Sequence, residues 1–142
     1  MDIQTLKTPS ELEAAFSLIK ELRPHLDFSG FMDLYQKAHQ HNGYILLGSF
    51  ENQKCLALMG YRILYDFVHG KHVYIDDLIV APHQQSKGLG AFFLKHAEEI
   101  AKKEQCQGLR LCTGKDNTRA IQFYEREGWN PRAYAFKKAL EI

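Results

Sequence analysis

Apolar residues in the first part of the chain fall at Leu12, Ala15, Phe16, Ile19 and Leu22, the spacing of one face of a helix. Pro9 and Ser10 open this run, with Ser10 as the expected cap and Glu13 completing a capping box; Pro24 ends it. Residues 2–7 predict a short strand before the helix. Residues 29–41 predict a second short helix, whose pattern is too loose to fix a face. From Gly43 the period changes. Segments 43–50, 55–66 and 72–80 are rich in β-branched, aromatic and aliphatic residues and are separated by polar turns, as in a three-strand antiparallel meander. Leu89, Phe92, Phe93, His96, Ala97 and Ile100 then form one stripe on a helix from Gly88 to Lys103. A strand at 107–112, a helix at 116–127 and a final strand at 133–140 complete the order.

The helix between strands 72–80 and 107–112 makes a crossover, so those two strands should run parallel. The expected fold is therefore α/β: a mixed, largely antiparallel sheet flanked by helices on both faces. At 142 residues the chain is expected to form a single domain, 1–142. A net charge of +1, spread along the chain, predicts no nucleic-acid partner. No apolar run approaches the roughly 20 residues of a membrane helix, so no membrane partner is expected. The N-terminal MDIQTLKTPS lacks the pattern of a signal peptide. Three cysteines without CxxC spacing suit a reducing compartment. The expected location is cytoplasmic.

Candidate chemistry concentrates in Val80-Ala-Pro82-His-Gln-Gln85-Ser-Lys-Gly88-Leu-Gly90, where a strand ends and a helix begins. The first N–H groups of a helix have no internal partner, and the helix dipole adds positive potential there. Gly88 and Gly90 would let an anionic group approach the backbone, and Lys87 adds a full charge. The stretch is not a P-loop, because GxxxxGK[ST] is missing, and GxGxxG is missing too.

This stretch resembles the acyl-CoA signature V-x-P-x-x-[R/Q]-x-x-G-x-G of the GNAT superfamily of N-acyltransferases. Gln85, Gly88 and Gly90 fall on its signature positions, and Val80 and Pro82 on the preceding two. Ser86 stands where a glycine is common. A second run, Asn117-x-x-Ala120-x-x-Phe123-Tyr124-x-x-x-Gly128-Trp129, is similar to that family's N-x-x-A-x-x-F-Y-x-x-x-G-F. The resemblance covers nearly the whole chain and implies acetyl-CoA as co-substrate and a possible homodimer. It also implies that strand 72–80 splays from strand 107–112 to receive the pantetheine arm. Backbone groups of Leu78, Ile79 and Val80 would bond that arm, with the Leu78 N–H polarising the thioester carbonyl. Backbone N–H groups of Gln85, Ser86, Lys87, Gly88, Leu89, Gly90 and Ala91 would hold the pyrophosphate, and Asn117 joins the cofactor-binding set. Tyr124 is the expected general acid, since a phenol with pKa near 10 can protonate a departing thiolate. Asn117 and Tyr124 share a helix face, seven residues apart.

The reaction also needs a base for the attacking amine. Asp76 and Asp77 interrupt an otherwise mostly apolar strand, where a carboxylate without partners would be costly. Strict alternation sends them to opposite faces and does not choose between them. Asp76 matches an acidic position of polyamine-acetylating relatives, which favours it. Of the seven histidines, neither His39 and His41 nor His69 and His72 have a metal-ligand spacing, so no metal is expected. His96 and Cys112 read as packing residues. The expected function is transfer of acetyl from acetyl-CoA to a primary amine by direct attack in a ternary complex, the acceptor being a small cationic amine. A non-catalytic CoA-binding module, or acetylation of a protein lysine or N-terminus, is the alternative.

Overall fold

The structure is a computed structural model describing residues 2–85 and 87–141. Ser86, expected in the anion loop, lies outside the described residues. The elements run β1 (Gln4–Thr5), α1 (Pro9–Leu22), α2 (Phe28–Asn42), β2 (Ile45–Glu51), β3 (Lys54–Asp66), β4 (Gly70–Val80), a 3-10 turn (Pro82–Gln84), α3 (Leu89–Lys103), β5 (Gly108–Leu111) and α4 (Thr118–Arg126). They divide between two compact units, Met1–Leu111 and Cys112–Ile142.

The larger unit holds one sheet in the order β1-β2-β3-β4-β5. All neighbours are antiparallel except β4 and β5, which pair in parallel as the crossover requires. Helix α1 is capped two residues earlier than the sequence suggested. Thr8, not Ser10, is the cap: its hydroxyl accepts from the Glu11 N–H (3.1 Å) while Glu11 accepts from the Thr8 N–H (2.9 Å). Both residue pairs have a capping-box spacing, and Pro9 decides between them because proline suits the first helical position, directly after the cap.

The register places Leu58, Gly60 and Arg62 of β3 on one face, opposite Ile79, Asp77 and Tyr74 of β4. Leu12, Ala15, Phe16 and Leu18 of α1 and Phe31 of α2 pack on this face with Leu46, Leu58 and Ala81. Fully burying each such large side chain is worth about 1.5–3 kcal/mol. The other face carries Ala57, Met59, Tyr61, Val73 and Ile75, all buried, and α3 runs against β3, β4 and β5 with Leu89, Phe93, Leu94 and Ala97 buried.

The smaller unit corrects one expectation. Residues 131–141 form no strand, and Tyr134, Phe136 and Leu140 are exposed. Alternating side chains favour a strand only where a neighbouring ladder accepts it, and among the described residues no strand pairs with this segment. The helix of this unit is firmly delimited. Asn117 caps it, its side chain accepting from the Ala120 N–H at 3.1 Å. Gly128, at φ +93°, ends it with a pair of reversed bonds: Gly128 N–H to the Glu125 carbonyl (3.1 Å) and Trp129 N–H to the Tyr124 carbonyl (2.9 Å). Two of the residues in the second motif are thus a start and a stop signal for one short helix.

Candidate active site

Strand β4 pairs with β5 only from His72 to Ile75, opposite Gly108 to Leu111. From Asp76 to Val80 its outer edge carries no strand partner among the described residues. Backbone direction along this edge follows from one bond. Ala81 N–H donates to the Leu56 carbonyl at 2.8 Å, and hydrogen-bonded pairs alternate along an antiparallel ladder. The Ile79–Leu58 pair is then bonded too, which turns the Ile79 polar groups toward β3. Leu78 and Val80 point theirs to the open side, and the Val80 carbonyl already accepts from Gln85 Nε2 there at 3.3 Å. Of the three consecutive residues expected to bond a pantetheine arm, only these two present their polar groups to the open edge.

The open edge runs into α3, which differs from the other helices at its start. Helices α1, α2 and α4 each have a side-chain cap, from Thr8, Asp27 and Asn117; α3 has none among the described residues. Its cap position is Gly88, in the left-handed conformation at φ +80°. A Cβ there would meet nothing within 4 Å, so glycine is required by the backbone angle rather than by crowding. The N–H groups of Leu89, Gly90 and Ala91 begin the helix without an intrahelical acceptor, and Phe92 makes the first bond, to the Gly88 carbonyl at 3.0 Å. Uncapped amides at a positive helix end, reached from a strand edge with free amides, suit a phosphate-bearing chain.

The two carboxylates do not straddle the sheet. A bulge at Gly60/Tyr61 leaves Gly60 opposite Asp77 and Tyr61 opposite Ile75, so Asp76 is the extra residue. Asp76 accepts two bonds from Arg62, at 2.8 and 2.7 Å, and Arg62 lies on the face of Gly60 and Asp77. The bulge therefore turns both acids to one face, against the opposite faces expected from strict alternation.

Their environments separate them. Asp76 is tied to a guanidinium in a two-point fork, and this bond holds the Arg62 pKa above its usual value. Asp77 accepts instead from a neutral donor, the Tyr44 hydroxyl, at 2.7 Å. Burial raises the Asp77 pKa, and neighbouring Asp76 adds to the effect. The Tyr44 hydrogen bond, Arg23 and Arg62 pull the other way without cancelling it. Burial, with Asp77 next, drives the Tyr44 phenol far upward, so it remains a donor at any working pH. Tyr44 is itself positioned by the Gly43 turn at φ +68°, which ends α2, and by His39, whose Nδ1–H donates to the Tyr44 carbonyl at 2.8 Å. A Cβ on Gly60 would collide with the Tyr44 hydroxyl. Gly60→Ala is accordingly expected to displace Tyr44 and cost about 1–3 kcal/mol in urea unfolding. A mutant with wild-type stability would show that Tyr44 relocates freely.

Tyr44, Arg62 and Gly60 were not singled out in the sequence. A signal existed: glycine inside a long apolar strand marks a bulge or a close approach. In the smaller unit, Tyr124 is half-buried, with ring centroids 5.1 Å from Phe123 and 6.0 Å from Trp129. Burial raises its pKa, so the phenol keeps its proton through neutral pH.

Other reactive groups have local explanations. The buried Cys55 thiol is pushed up to about 12 by burial. His96 sits 4.0 Å from Glu99, half-exposed, and Cys112 is exposed. Although no metal set was legible in the histidine spacing, Asp66, His69 and His72 bring ligand atoms within 4.8 Å of one another. Hydrogen bonds within the protein engage all three. Asp66 accepts from the His69 N–H at 2.6 Å, and His72 Nε2 accepts from Arg110 Nε at 3.3 Å. Cavities of about 190 and 460 Å³ lie beside α1 and are lined by neither Asp77 nor Leu78. The candidate site is an open strand edge rather than an enclosed pocket.

The model of the Acetyltransferase (GNAT) family matches residues 11–129. The chain belongs to that family. It is a GNAT N-acetyltransferase, with the mixed five-stranded sheet of its structural neighbours. It is 27% identical over 139 residues to an uncharacterised N-acetyltransferase of Bacillus subtilis, covering 97% of this chain and 98% of that one. A thialysine N-epsilon-acetyltransferase of Bos taurus is 27% identical over 136 residues, 80% of each chain. Among solved structures, AAC(6')-Iy in complex with the bisubstrate analogue CoA-S-monomethyl-acetylneamine superposes with a TM-score of 0.78. It is 18% identical, over 98% of both chains. No helix among the described residues of this GNAT protein is long and apolar enough to cross a membrane.

Proposed function

We propose that this GNAT protein transfers acetyl from acetyl-CoA to a small primary amine by direct attack within a ternary complex, the whole chain 1–142 acting as one functional domain. The observation that carries the reading is the continuity of an open, amide-bearing β4 edge with α3, the α-helix that no side chain caps among the described residues. In this assignment Leu78 and Val80 bond the pantetheine arm, and the Leu78 N–H stabilises the developing oxyanion. Gln85, Lys87, Gly88, Leu89, Gly90 and Ala91 hold the pyrophosphate. The amine nitrogen attacks the thioester carbonyl, a C–N bond forms and the C–S bond breaks. Asp77 takes the proton from the nitrogen, and Tyr124 gives one to the leaving thiolate.

Asp77 rather than Asp76 is the base, because burial already favours its protonated form whereas Asp76 is engaged by Arg62. A carboxylate with a raised pKa is a better proton acceptor near neutrality. The acceptor class is supported by relatives named for amine acetylation, including the thialysine enzyme. We further assign this protein to the cytoplasm and allow for a homodimer. The decisive assay is acetyl-CoA-dependent thiol release with a panel of amines, with intersecting rather than parallel initial-rate patterns. A protein that binds acetyl-CoA and acetylates no amine would be a binding module instead.

Gly88→Val is expected to weaken acetyl-CoA binding at least tenfold, about 1.4 kcal/mol. A β-branched residue is strained at φ +80° and would rotate the amides that follow. Gly88→Asn, which tolerates that angle, should retain more affinity. Calorimetry finding wild-type affinity in a folded Gly88→Val protein would end this assignment.

A further inference from the structure

Beyond the paired acids, the same face of the sheet carries a second polar cluster around Tyr74. Arg62 and Arg110 flank this ring, with guanidinium carbons 5.3 and 4.6 Å from its centroid. The two arginines are not equivalent. Arg62 is committed to Asp76 by both arms of its fork. Arg110, opposite Tyr74 on edge strand β5, gives its Nε–H to His72 Nε2 at 3.3 Å and forms a loose ion pair with Asp66. Its nearest carboxylate oxygen among the described residues is Asp66 Oδ2 at 3.9 Å, beyond hydrogen-bond reach. Asp66 is in turn engaged by the His69 N–H at 2.6 Å.

The support beneath Arg110 is built. His72 is 1% exposed, and its Nδ1–H donates to the Gly70 carbonyl at 2.9 Å, which leaves the Nε2 lone pair for Arg110. A buried histidine and an aromatic ring thus hold a guanidinium whose own side chain remains 34% exposed. A surface arginine ordinarily loses much rotamer freedom when it binds something. Here that cost is met by the fold, while the two terminal nitrogens, the pair suited to a carboxylate, make no hydrogen bond to a side chain among the described residues and have only the 3.9 Å ion pair of Nη2 with Asp66.

Resting on the reading of Asp77 as the base beside the acceptor nitrogen, we propose that Arg110 is an anion subsite and that the acceptor is an amine that also carries a carboxylate. The sheet sets the spacing. Asp77 lies opposite Gly60 and Tyr74 opposite Arg62, two residues along β3. At about 3.4 Å per residue along the strands and about 4.8 Å between neighbouring strands, the backbones of Asp77 and Arg110 are about 8 Å apart, the scale of an extended ω-amino acid.

The test compares 6-aminohexanoate with 1-aminohexane, which has the same chain without the carboxylate, and with 1,6-diaminohexane. Wild-type protein is expected to favour 6-aminohexanoate over 1-aminohexane at least tenfold in kcat/KM. Arg110→Met keeps bulk over Tyr74 and should bring that ratio to about one; Arg110→Lys should leave it between. Melting curves establish that each variant is folded. Calorimetric titration of 6-aminohexanoate into the CoA-bound protein gives a reading that needs no turnover, with binding expected in wild type and lost in Arg110→Met. Amine acetylation without preference for the carboxylate, or a preference that survives in Arg110→Met, overturns the subsite and leaves the acetyltransferase reading intact. Failure to acetylate any amine sinks the placement of the acceptor beside Asp77. In that case the calorimetry decides the anion subsite alone, and absence of 6-aminohexanoate binding to wild type overturns it.

Discussion

Tyr124→Phe is expected to lower kcat about 10²–10⁴-fold while leaving acetyl-CoA affinity near its wild-type value. The substitution removes one oxygen and keeps the ring that packs against Phe123 and Trp129. The helix carrying it is fixed at both ends, by the Asn117 side chain and the left-handed Gly128, so the change should not unfold its surroundings. Burial raises the phenol pKa, which keeps the proton on Tyr124 at neutral pH and makes it available to a thiolate. A loss confined to the chemical step appears in kcat. Rapid mixing of enzyme, acetyl-CoA and excess amine, followed by thiol release in a single turnover, isolates that step. An unchanged single-turnover rate would reduce Tyr124 to a packing residue.

Asp77→Asn is expected to lower kcat/KM for amines by at least about 10²-fold. It should also remove or shift the acidic limb of the pH profile. In wild type, that limb should lie above the ordinary aspartate range, because the Asp77 pKa is raised in the folded protein. The same shift fixes a stability sign. A folded state that binds this proton more tightly than the unfolded chain loses stability as pH rises from the unfolded pKa through the folded one. Asp77→Asn removes that loss and can still accept from Tyr44, so its melting temperature at neutral pH should match or exceed wild type. Asp76→Asn should behave in reverse. Breaking the fork to Arg62 costs about 1–3 kcal/mol of stability, with a smaller effect on the chemical step. Equal activity in folded wild type and Asp77→Asn would leave the proton to water.

The order of helices and strands was legible because each depends on a local period, and the parallel pairing followed from one crossover. The strand-to-helix junction was legible for a similar reason: two glycines there are a local signal, and Gly88 takes the left-handed angle that favours glycine. What escaped depends on partners distant in sequence. The contrast between the Asp76 and Asp77 environments required knowing that Gly60 opens a bulge and admits the ring of Tyr44, thirty-three positions away from Asp77. Alternation within β4 could not show it, since an extra residue resets the phase. The Tyr134–Leu140 segment failed in the opposite sense: its pattern suits a strand, but a strand also needs a neighbour's hydrogen bonds. Ser10 lost the cap to Thr8 by a single proline.

On the proposed pyrophosphate assignment, the uncapped start of α3 would make part of this fold conditional on the co-substrate. In α1, α2 and α4 a side chain caps the first turn, whereas among the described residues no side chain caps α3, and in the proposed site its first amides serve the pyrophosphate. Occupancy and local order are then one equilibrium written twice, and saturation at 100 times Kd adds about 2.7 kcal/mol to global stability. Amide exchange at Leu89, Gly90 and Ala91 should slow on saturation more than at the capped ends of the other helices. The proposed site thus predicts that protein depleted of acetyl-CoA melts at a lower temperature than saturated protein, which a thermal-shift titration would read.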